Sequence, residues 1–429
     1  MNEKNGENKG IEKQIIKVAL LGLGTVGYGV FTGLVEKKGH FSSLLGKAVE
    51  ITGILIQDPT KNRELPKDVF VTTNFQELLQ KDKPDVVVEA IGGKEPAFTF
   101  IRQSLESGCH VISANKDLIA RSGKELLQIA QSNDVRFVYE ASVGGGIPVL
   151  RTIKELLQVN RIERVEAILN GTTNFILSYM RNHRSSFYEA LEIARQQGYA
   201  EADPTNDIEG IDAFYKAMVL CDWVFGEQPD WDHVQVKGIK DVQTEELLLA
   251  EQSGLRLKQL VTINETLDVQ VTPIFVDQEH PLYGVEGVDN AVRIKTDLLG
   301  YLTLQGAGAG AFPTASAILE DLISVYKTTN KEKVKTGKRE EKRKESKESN
   351  VFALFIKNVL NEKEFSDIVK KIESSVDLLH ASGEIENGNA FVLVKGNLES
   401  NCIGHEFSVY PVQITNEQMF TRVKEKAVV

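Results

Sequence analysis

The sequence has few of the residues that form disulfides or hold zinc. Its 429 residues include three cysteines, Cys109, Cys221 and Cys402, which are scattered, odd in number and not at metal-site spacing. Its seven histidines form no HxH or HExxH pattern, so a zinc site is not expected. This cysteine usage fits a reducing cytosol, and a cytoplasmic location is predicted.

Long apolar runs are also missing from the chain. No stretch is long and apolar enough to span a membrane, so no membrane partner is expected. Residues 1–14 are polar and lack the apolar centre of a secretory signal. They are predicted to form a disordered lead-in.

The charge of the chain is unevenly distributed. The net charge is −11, although residues 327–350 contain ten Lys and Arg against five Glu, a balance of +5. The remainder therefore carries −16, which argues against nucleic acid as a partner. The basic run is predicted to be a solvated linker.

The first motif with a chemical meaning is a glycine-rich turn between a strand and a helix. The apolar run Ile15–Leu21 leads into GLGTVG, and a helix is predicted to start near Thr25. In such a turn the first glycine permits a tight bend, the second a close approach of a pyrophosphate, and the third close helix–strand packing. The helix N-terminus offers free N–H groups to phosphates. The predicted cofactor-binding residues here are Gly22, Gly24, Thr25, Val26 and Gly27. The alternative is a glycine-rich turn that binds nothing.

Strands and helices continue to alternate as far as residue 150. Further strands are predicted at 49–56, 85–91, 109–113 and 135–140, with helices between them, one of them capped by Asn74. This alternation is typical of an α/β fold with a Rossmann-type, doubly wound parallel sheet. Ligands bind beyond the carboxyl ends of such strands, where Gly92, Gly93 and Lys116 fall.

A short acidic segment, 194–216, forms the second candidate site. Ser186-x-x-Glu189 predicts a capped helix before it, ending at Gly198, and Asn206 or Asp207 is predicted to cap the next helix. On that helix Asp212 and Lys216 are four residues apart and therefore lie on one face. A lysine beside a carboxylate could deliver a proton, whereas the alternative is an ordinary solvated ion pair. The charged residues of the segment include Glu201, Asp203, Asp207, Glu209, Asp212 and Lys216.

This segment resembles the homoserine dehydrogenase family. The pattern A-x3-G-Y-A-x2-D-P-x2-D-I-x-G-x-D-x3-K runs without a gap from Ala194 to Lys216. Further similarity extends over roughly 15–326, including LNGTTNF and HPLYGVEGVDNAVRIKTDLLGYLTLQGAGAG. The resemblance implies NAD(P)-dependent interconversion of L-aspartate 4-semialdehyde and L-homoserine, a step in the biosynthesis of threonine, methionine and isoleucine.

The resemblance also implies roles for single residues. Lys216, Asp212 and Lys116 are expected to be catalytic, and Glu201, Asp207, Asn170 and Thr172 to bind substrate. Gly310 and Lys116 are expected near the nicotinamide, and the glycines named above are expected to bind other parts of the cofactor. A monovalent cation, sodium, is expected at Glu140, Val143, Gly145 and Ile147, held largely through main-chain oxygens.

The second half of the chain is expected to form two more domains. The predicted division is a dinucleotide-binding domain at 15–150, completed by a helix at 313–326, and an α+β catalytic and dimerisation domain at 151–312. A small α+β domain at 351–429 resembles an ACT domain in outline, although Asn361 and Glu362 stand where a Pro-Gly is expected. It either binds an effector or has a structural or oligomerising role. No aspartokinase half precedes the dehydrogenase, so the monofunctional form is expected. A homodimer or homotetramer is predicted.

The choice of cofactor and the competing functions stay open at this point. Asp58 after the second strand favours NAD, whereas Lys61 and Arg63 suit the additional phosphate of NADP. The alternatives are another nicotinamide-dependent dehydrogenase on the same scaffold and a non-catalytic regulator that senses a nucleotide.

Overall fold

A computed structural model of the chain describes residues 15–61, 65–66, 69–327, 351–384, 388–396 and 406–415. They fall into two compact units: the first contains the residues up to Pro148 together with those from Gly310 to Lys327, and the second contains the rest. Arg63 and Cys402, the lead-in and the basic run 328–350 lie outside the described residues.

The strands are β1 Ile15–Leu21, β2 Ala48–Leu55, β3 Val71–Thr72, β4 Val86–Glu89, β5 His110–Ser113, β6 Phe137–Val138, β7 Ile162–Ile168, β8 Gln235–Val236, β9 Leu255–Asn264, β10 Val269–Asp277, β11 Asp289–Thr296, β12 Gly300–Ala307, β13 Val351–Lys357, β14 Asp377–Glu384, β15 Asn389–Lys395 and β16 Phe407–Gln413. The helices are α1 Thr25–Glu36, α2 Lys38–Leu45, α3 Phe75–Asp82, α4 Ala97–Glu106, α5 Lys116–Ser132, α6 Val149–Arg151, α7 Gly171–His183, α8 Phe187–Gln196, α9 Thr205–Ile208, α10 Ile211–Phe225, α11 Thr244–Gln252, α12 Ala311–Lys327 and α13 Glu362–Glu373. A π-helical turn, Thr152–Leu156, follows α6, and 3-10 turns lie at Glu140–Ser142 and Trp231–His233.

The first unit is a parallel sheet with the strand order β3-β2-β1-β4-β5-β6. This is the order of a doubly wound dinucleotide-binding fold, and the predicted fold class is confirmed. Its strands are rich in valine and isoleucine because both faces of the sheet are covered by helices. The fully buried β4 illustrates this, and α12 contributes Ala315, Ile318 and Leu322 to the same core as α1.

The second unit is built on a mixed sheet with the order β12-β11-β7-β9-β10-β16-β13-β15-β14, and β8 also pairs with β10. The tail strands join this sheet where β16 pairs in parallel with β10, with Phe275 opposite Val412. Phe275 packs against Phe355 and Tyr410 of the tail. The tail therefore continues the sheet of the second unit, while the predicted domain boundaries stay a prediction.

Several predicted element boundaries differ from the structure. The predicted cap at Asn206 or Asp207 is wrong, because α10 begins after Gly210, which adopts a left-handed conformation with φ of 83° and gives no side-chain cap. The strand predicted at 135–140 contains two residues, and Glu140 lies in a 3-10 turn instead. The caps predicted at Asn74 and Ser186 are confirmed.

No helix in the described ranges combines the length and the hydropathy needed to cross a lipid bilayer.

Candidate active site

The glycine turn after β1 has the steric properties that its sequence predicts. A Cβ added to Gly27 would lie 2.2 Å from the carbonyl oxygen of Gly22, so α1 packs too closely on the turn for any side chain there. A Cβ added to Gly24 would meet nothing within 4 Å, which leaves space beside this backbone. The N-terminus of α1 has no side-chain cap and no acidic residue in its first turn. These features suit a phosphate group.

A buried carboxylate supports the two loops that follow β4 and β5. Glu89 is fully buried, and its Oε1 accepts hydrogen bonds from the backbone N–H groups of Ile91 (2.9 Å) and Gly92 (3.1 Å). Its Oε2 accepts one from the hydroxyl of Ser113, 2.5 Å away on the neighbouring strand. Burial raises the pKa of the Glu89 carboxyl, and these hydrogen bonds lower it only in part.

Asn115 connects the same two loops and starts the helix that carries Lys116. Its Oδ1 accepts from the N–H of Leu118 and caps α5, while its Nδ2 donates to the carbonyl oxygen of Gly93 at 2.7 Å. Gly92 and Gly93 both have positive φ, 71° and 73°, so the loop conformation favours glycine at both positions. Lys116 is the first residue of α5 and is partly buried.

The loop predicted to hold a cation is compact and buried. Glu140 is 4% exposed, and its backbone N–H donates to the carboxylate of Asp321 on α12 at 2.9 Å. Val143 and Ile147 are also buried, and Gly145 has a positive φ of 57°. Within the described residues, no cluster of three or more His, Cys, Asp or Glu side chains suits a metal ion. The predicted ligand set relies mainly on main-chain oxygens instead.

Asp58 lies in the loop after β2, where the cofactor preference was expected to be decided. Its Oδ1 accepts hydrogen bonds from the backbone N–H of Thr60 (2.8 Å) and the Thr60 hydroxyl (2.6 Å). The carboxylate therefore stabilises the turn that contains it. Lys61, three residues further along the chain, is exposed.

In the second unit, Lys216 and Asp212 form a largely buried ion pair. The Lys216 Nζ lies 2.6 Å from Asp212 Oδ2, with side-chain exposures of 12% and 8%. It also donates to the carbonyl oxygen of Leu169 at 2.6 Å. The alternative of a solvated surface pair is therefore wrong. Two of the three ammonium hydrogens have these partners within the described residues, and one remains.

The other residues predicted to bind substrate surround this pair. Asn170 donates from Nδ2 to Asp207 Oδ1 at 2.7 Å and to Asp212 Oδ2 at 2.9 Å. The Thr172 hydroxyl donates to the carbonyl oxygen of Tyr199, in the loop that carries the exposed Glu201. The structure thus brings Asn170, Asp207, Asp212 and Lys216 together, and it connects Thr172 to the loop of Glu201.

Comparison with known proteins agrees with this geometry. The family profile described as "Homoserine dehydrogenase, NAD binding domain" matches residues 22–140, and that described as "Homoserine dehydrogenase" matches residues 148–323. The homoserine dehydrogenase of Bacillus subtilis (strain 168) is 40% identical over 318 residues, which cover 73% of this chain and 73% of that protein. The chain belongs to the homoserine dehydrogenase family. Its members are NAD(P)-dependent oxidoreductases, and so is this protein.

Solved structures of the homoserine dehydrogenase family have the same fold. The enzyme from Thiobacillus denitrificans has a TM-score of 0.83 at 30% identity and covers 94% of this chain and 99% of its own. A hyperthermophilic archaeal homoserine dehydrogenase in complex with NADPH has a TM-score of 0.63 at 29% identity, covering 73% of this chain and 98% of its own. The structure from Thiobacillus denitrificans matches 94% of this chain, which is more than residues 15–326 alone could supply. The match to this homoserine dehydrogenase family member therefore extends into the tail.

Two contributors, one in each unit, were not identified from the sequence. Glu89 lies in the strand predicted at 85–91, and an acidic residue at the carboxyl end of a buried strand is itself a recognisable signal. The carbonyl oxygen of Leu169 carries no signal at all, because any residue supplies one.

Proposed function

We propose that this enzyme interconverts L-aspartate 4-semialdehyde and L-homoserine, with Lys216 as the proton donor. The observation that carries the proposal is the fixed ammonium group of Lys216. Asp212 and the Leu169 carbonyl oxygen hold it at 2.6 Å each and leave one N–H for a substrate oxygen. A charged donor held rigidly in a water-poor site stabilises an alkoxide as it develops.

Each residue predicted to act on the substrate then has a defined task. In the reducing direction, Lys216 donates a proton to the oxygen that was the aldehyde oxygen, and in the oxidising direction it accepts that proton from the hydroxyl. Asp212 orients the lysine through the ion pair. Glu201 and Asp207 supply negative charge for the substrate ammonium, with Asn170 and Thr172 beside them. Lys116 balances the substrate carboxylate or assists the proton transfer.

The residues of the glycine turn would hold NAD or NADP. The open space at Gly24 and the uncapped N-terminus of α1 fit a pyrophosphate. When bound, the reduced nicotinamide supplies the hydride. The residues assigned to this cofactor are Gly22, Gly24, Thr25, Val26, Gly27, Gly92, Gly93, Lys116 and Gly310. Asp58 favours NAD, while Lys61 and Arg63 suit NADP.

A sodium ion at Glu140, Val143, Gly145 and Ile147 is part of the proposal. The buried carboxylate and the tightly turned backbone offer the oxygen ligands that a hard cation prefers. Its task would be to brace this loop. We assign the enzyme to threonine, methionine and isoleucine biosynthesis in the cytoplasm, as a homodimer or homotetramer.

The Lys216→Ala variant tests the proton donor. Turnover of L-homoserine, followed at the absorbance of reduced nicotinamide, is expected to fall by about 100-fold or more, because general acid catalysis contributes about 10²–10⁴ in rate. Binding of NAD or NADP is expected to stay unchanged, since Lys216 belongs to the second unit. NAD and NADP assayed side by side give the cofactor preference.

A matched control is Lys240→Ala, which removes an exposed lysine of the second unit. Equal loss of turnover and cofactor binding in Lys216→Ala would point to misfolding or to a different role for Lys216. Activity with another hydroxy acid and none with L-homoserine would favour a different dehydrogenase. Cofactor binding without turnover of any hydroxy acid would favour a regulator.

A further inference from the structure

The side chain of Asn170 is fully occupied by protein partners. It is 6% exposed, and its Oδ1 accepts a hydrogen bond from the N–H of Thr173 at 2.8 Å, which caps α7. Its two amide hydrogens go to different carboxylates, Asp207 on α9 and Asp212 on α10. An amide placed in this way serves the two carboxylates rather than a ligand of its own.

The turn that carries Asn170 holds both members of the lysine ion pair. The carbonyl oxygen of Leu169 accepts from the Lys216 ammonium, and the next residue, Asn170, donates to the carboxylate that the same ammonium contacts. Consecutive residues at the end of β7 therefore fix the cation and the anion together. This arrangement determines the direction of the remaining ammonium hydrogen.

The turn itself has little freedom to move. A Cβ added to Gly171 would lie 2.6 Å from the carbonyl oxygen of Val288, so the backbone is in close contact with the chain segment before β11. The Thr172 hydroxyl donates to the Tyr199 carbonyl oxygen at 2.7 Å. A position this constrained can transmit its geometry to the carboxylates that it contacts.

We infer that Asn170 is a positioning residue that orients Asp212, and through it Lys216, while it holds Asp207 in place for the substrate ammonium. The inference rests on the proposed roles of these three residues. Without the amide, two carboxylates would face each other across α9 and α10, and their repulsion would move them and the lysine. Asn170 then contributes to turnover and to homoserine binding, but not to cofactor binding.

The Asn170→Ser variant separates this role from helix capping. Serine is as good an N-cap as asparagine but has no amide to donate to two carboxylates. The matched control is Asn361→Ser, because Asn361 caps α13 through the N–H of Glu364 at 3.0 Å in the same way and lies in the tail. Asn361→Ser is expected to keep nearly wild-type thermal stability, because serine caps a helix equally well. Asn170→Ser is expected to lose more, because the buried amide also donates to Asp207 and Asp212.

The kinetic expectations differ between the two serine variants. Asn170→Ser is expected to lower kcat/KM for L-homoserine by about 10- to 100-fold, since hydrogen bonds to charged groups contribute about 1.5–3 kcal/mol. KM for NAD or NADP is expected to stay unchanged, and Asn361→Ser is expected to keep wild-type kinetics. Wild-type kcat and KM for L-homoserine in Asn170→Ser would overturn the inference, and so would a loss that merely follows the folded fraction.

A double-mutant cycle with Asp212→Asn tests whether Asn170 acts through Asp212. The kcat of the double variant is expected to match that of Asp212→Asn alone, whereas fully additive losses would overturn the inference. Lys216→Ala, assayed in parallel, distinguishes a failure of the proposed function from a failure of the positioning role. If it loses turnover while Asn170→Ser does not, the proposed function stands and the positioning role is wrong. If it keeps turnover, both are wrong.

Discussion

Two asparagines show how one side chain serves a helix and a site at the same time. Asn115 caps α5 and donates to the carbonyl oxygen of Gly93 in the first unit. Asn170 caps α7 and donates to Asp207 and Asp212 in the second. Asparagine suits both tasks because its oxygen accepts from the helix while its nitrogen keeps two donors. Each amide thereby ties a helix start to residues far away in the chain.

A prediction at the residue scale concerns Ser113. Its hydroxyl donates to Glu89 and accepts from the N–H of Asn115 at 3.1 Å, so Ser113→Ala removes both contacts. Stability is expected to fall by about 1–3 kcal/mol, because the buried carboxylate loses a donor and the buried N–H loses its acceptor. KM for NAD or NADP is expected to rise, since the Gly92–Gly93 loop loses support, while KM for L-homoserine is unchanged.

The control for this experiment is Ser104→Ala in the same unit. Ser104 is also fully buried, but its hydroxyl donates to the Phe100 carbonyl oxygen within α4. That carbonyl keeps its helical environment, so little effect on cofactor KM is expected. Thermal melting and initial-rate kinetics provide the comparison, and an equal KM shift in both variants would contradict the role of the Glu89 contacts.

At the scale of elements, two glycines of the turn before α1 have different surroundings. Gly27 has no room for a side chain because α1 lies against the turn, whereas Gly24 faces open space. The φ of Gly24 is −79°, a value that any residue adopts without strain. One glycine is therefore required by the fold, whereas the other has space beside it for the proposed cofactor.

Alanine substitutions at these two glycines are expected to change different quantities, stability in one case and cofactor binding in the other. Gly27→Ala is expected to destabilise the first unit by about 1–3 kcal/mol or more, because its Cβ would collide with backbone. Gly24→Ala is expected to leave the melting temperature near that of the wild type but to weaken NAD or NADP binding, since the methyl group occupies the phosphate approach. Melting curves and cofactor titrations measure both. A stable Gly24→Ala with unchanged cofactor affinity would argue against phosphate binding there.

At the scale of the whole molecule, the second unit depends on buried charge as well as on its sheet. Burial alone would raise the pKa of Glu286, but hydrogen bonds from Arg181 and Lys258 and their charges outweigh it and lower the pKa to about 2. Burial alone would likewise raise the pKa of Glu166. The hydrogen bond from His280 and the charges of Arg164 and Arg293 instead lower this pKa to about 2. Both carboxylates therefore stay ionised in the folded state at pH values where the unfolded chain binds protons.

These depressed pKa values predict acid sensitivity. Between pH 4.5, the ordinary glutamate value, and about 2, the unfolded state takes up protons that the folded state does not. Each group is expected to reduce stability by up to about 1.4 kcal/mol per pH unit across this window, and to contribute its full stabilisation above it. The melting temperature is expected to fall as the pH is lowered from 5 to 3.

Glutamine variants identify the groups responsible for the acid sensitivity. Glu286→Gln is expected to be less stable at pH 7 but to show a shallower fall, because the titrating group is gone. The exposed Glu245→Gln is expected to keep the wild-type slope. A melting temperature that stays constant between pH 5 and 3 in the wild type would contradict the prediction.

Local sequence determined the parts of this protein that local physics controls. The strand–glycine–helix order of β1 and α1, the Asn74 and Ser186 caps, and the shared face of Asp212 and Lys216 all depend on residues within a few positions of each other. The acidic motif then identified the family, which the comparisons confirm.

Only the tertiary structure decided which distant groups meet. Glu89 and Ser113 are 24 residues apart and become neighbours because β4 and β5 pair, while Asn170 and Asp212 are 42 residues apart and meet through packing. The pairing of β16 with β10 has the same origin. Such contacts depend on strand order and register, which no short stretch of sequence encodes, because each element's own pattern specifies which face is buried but not its partner.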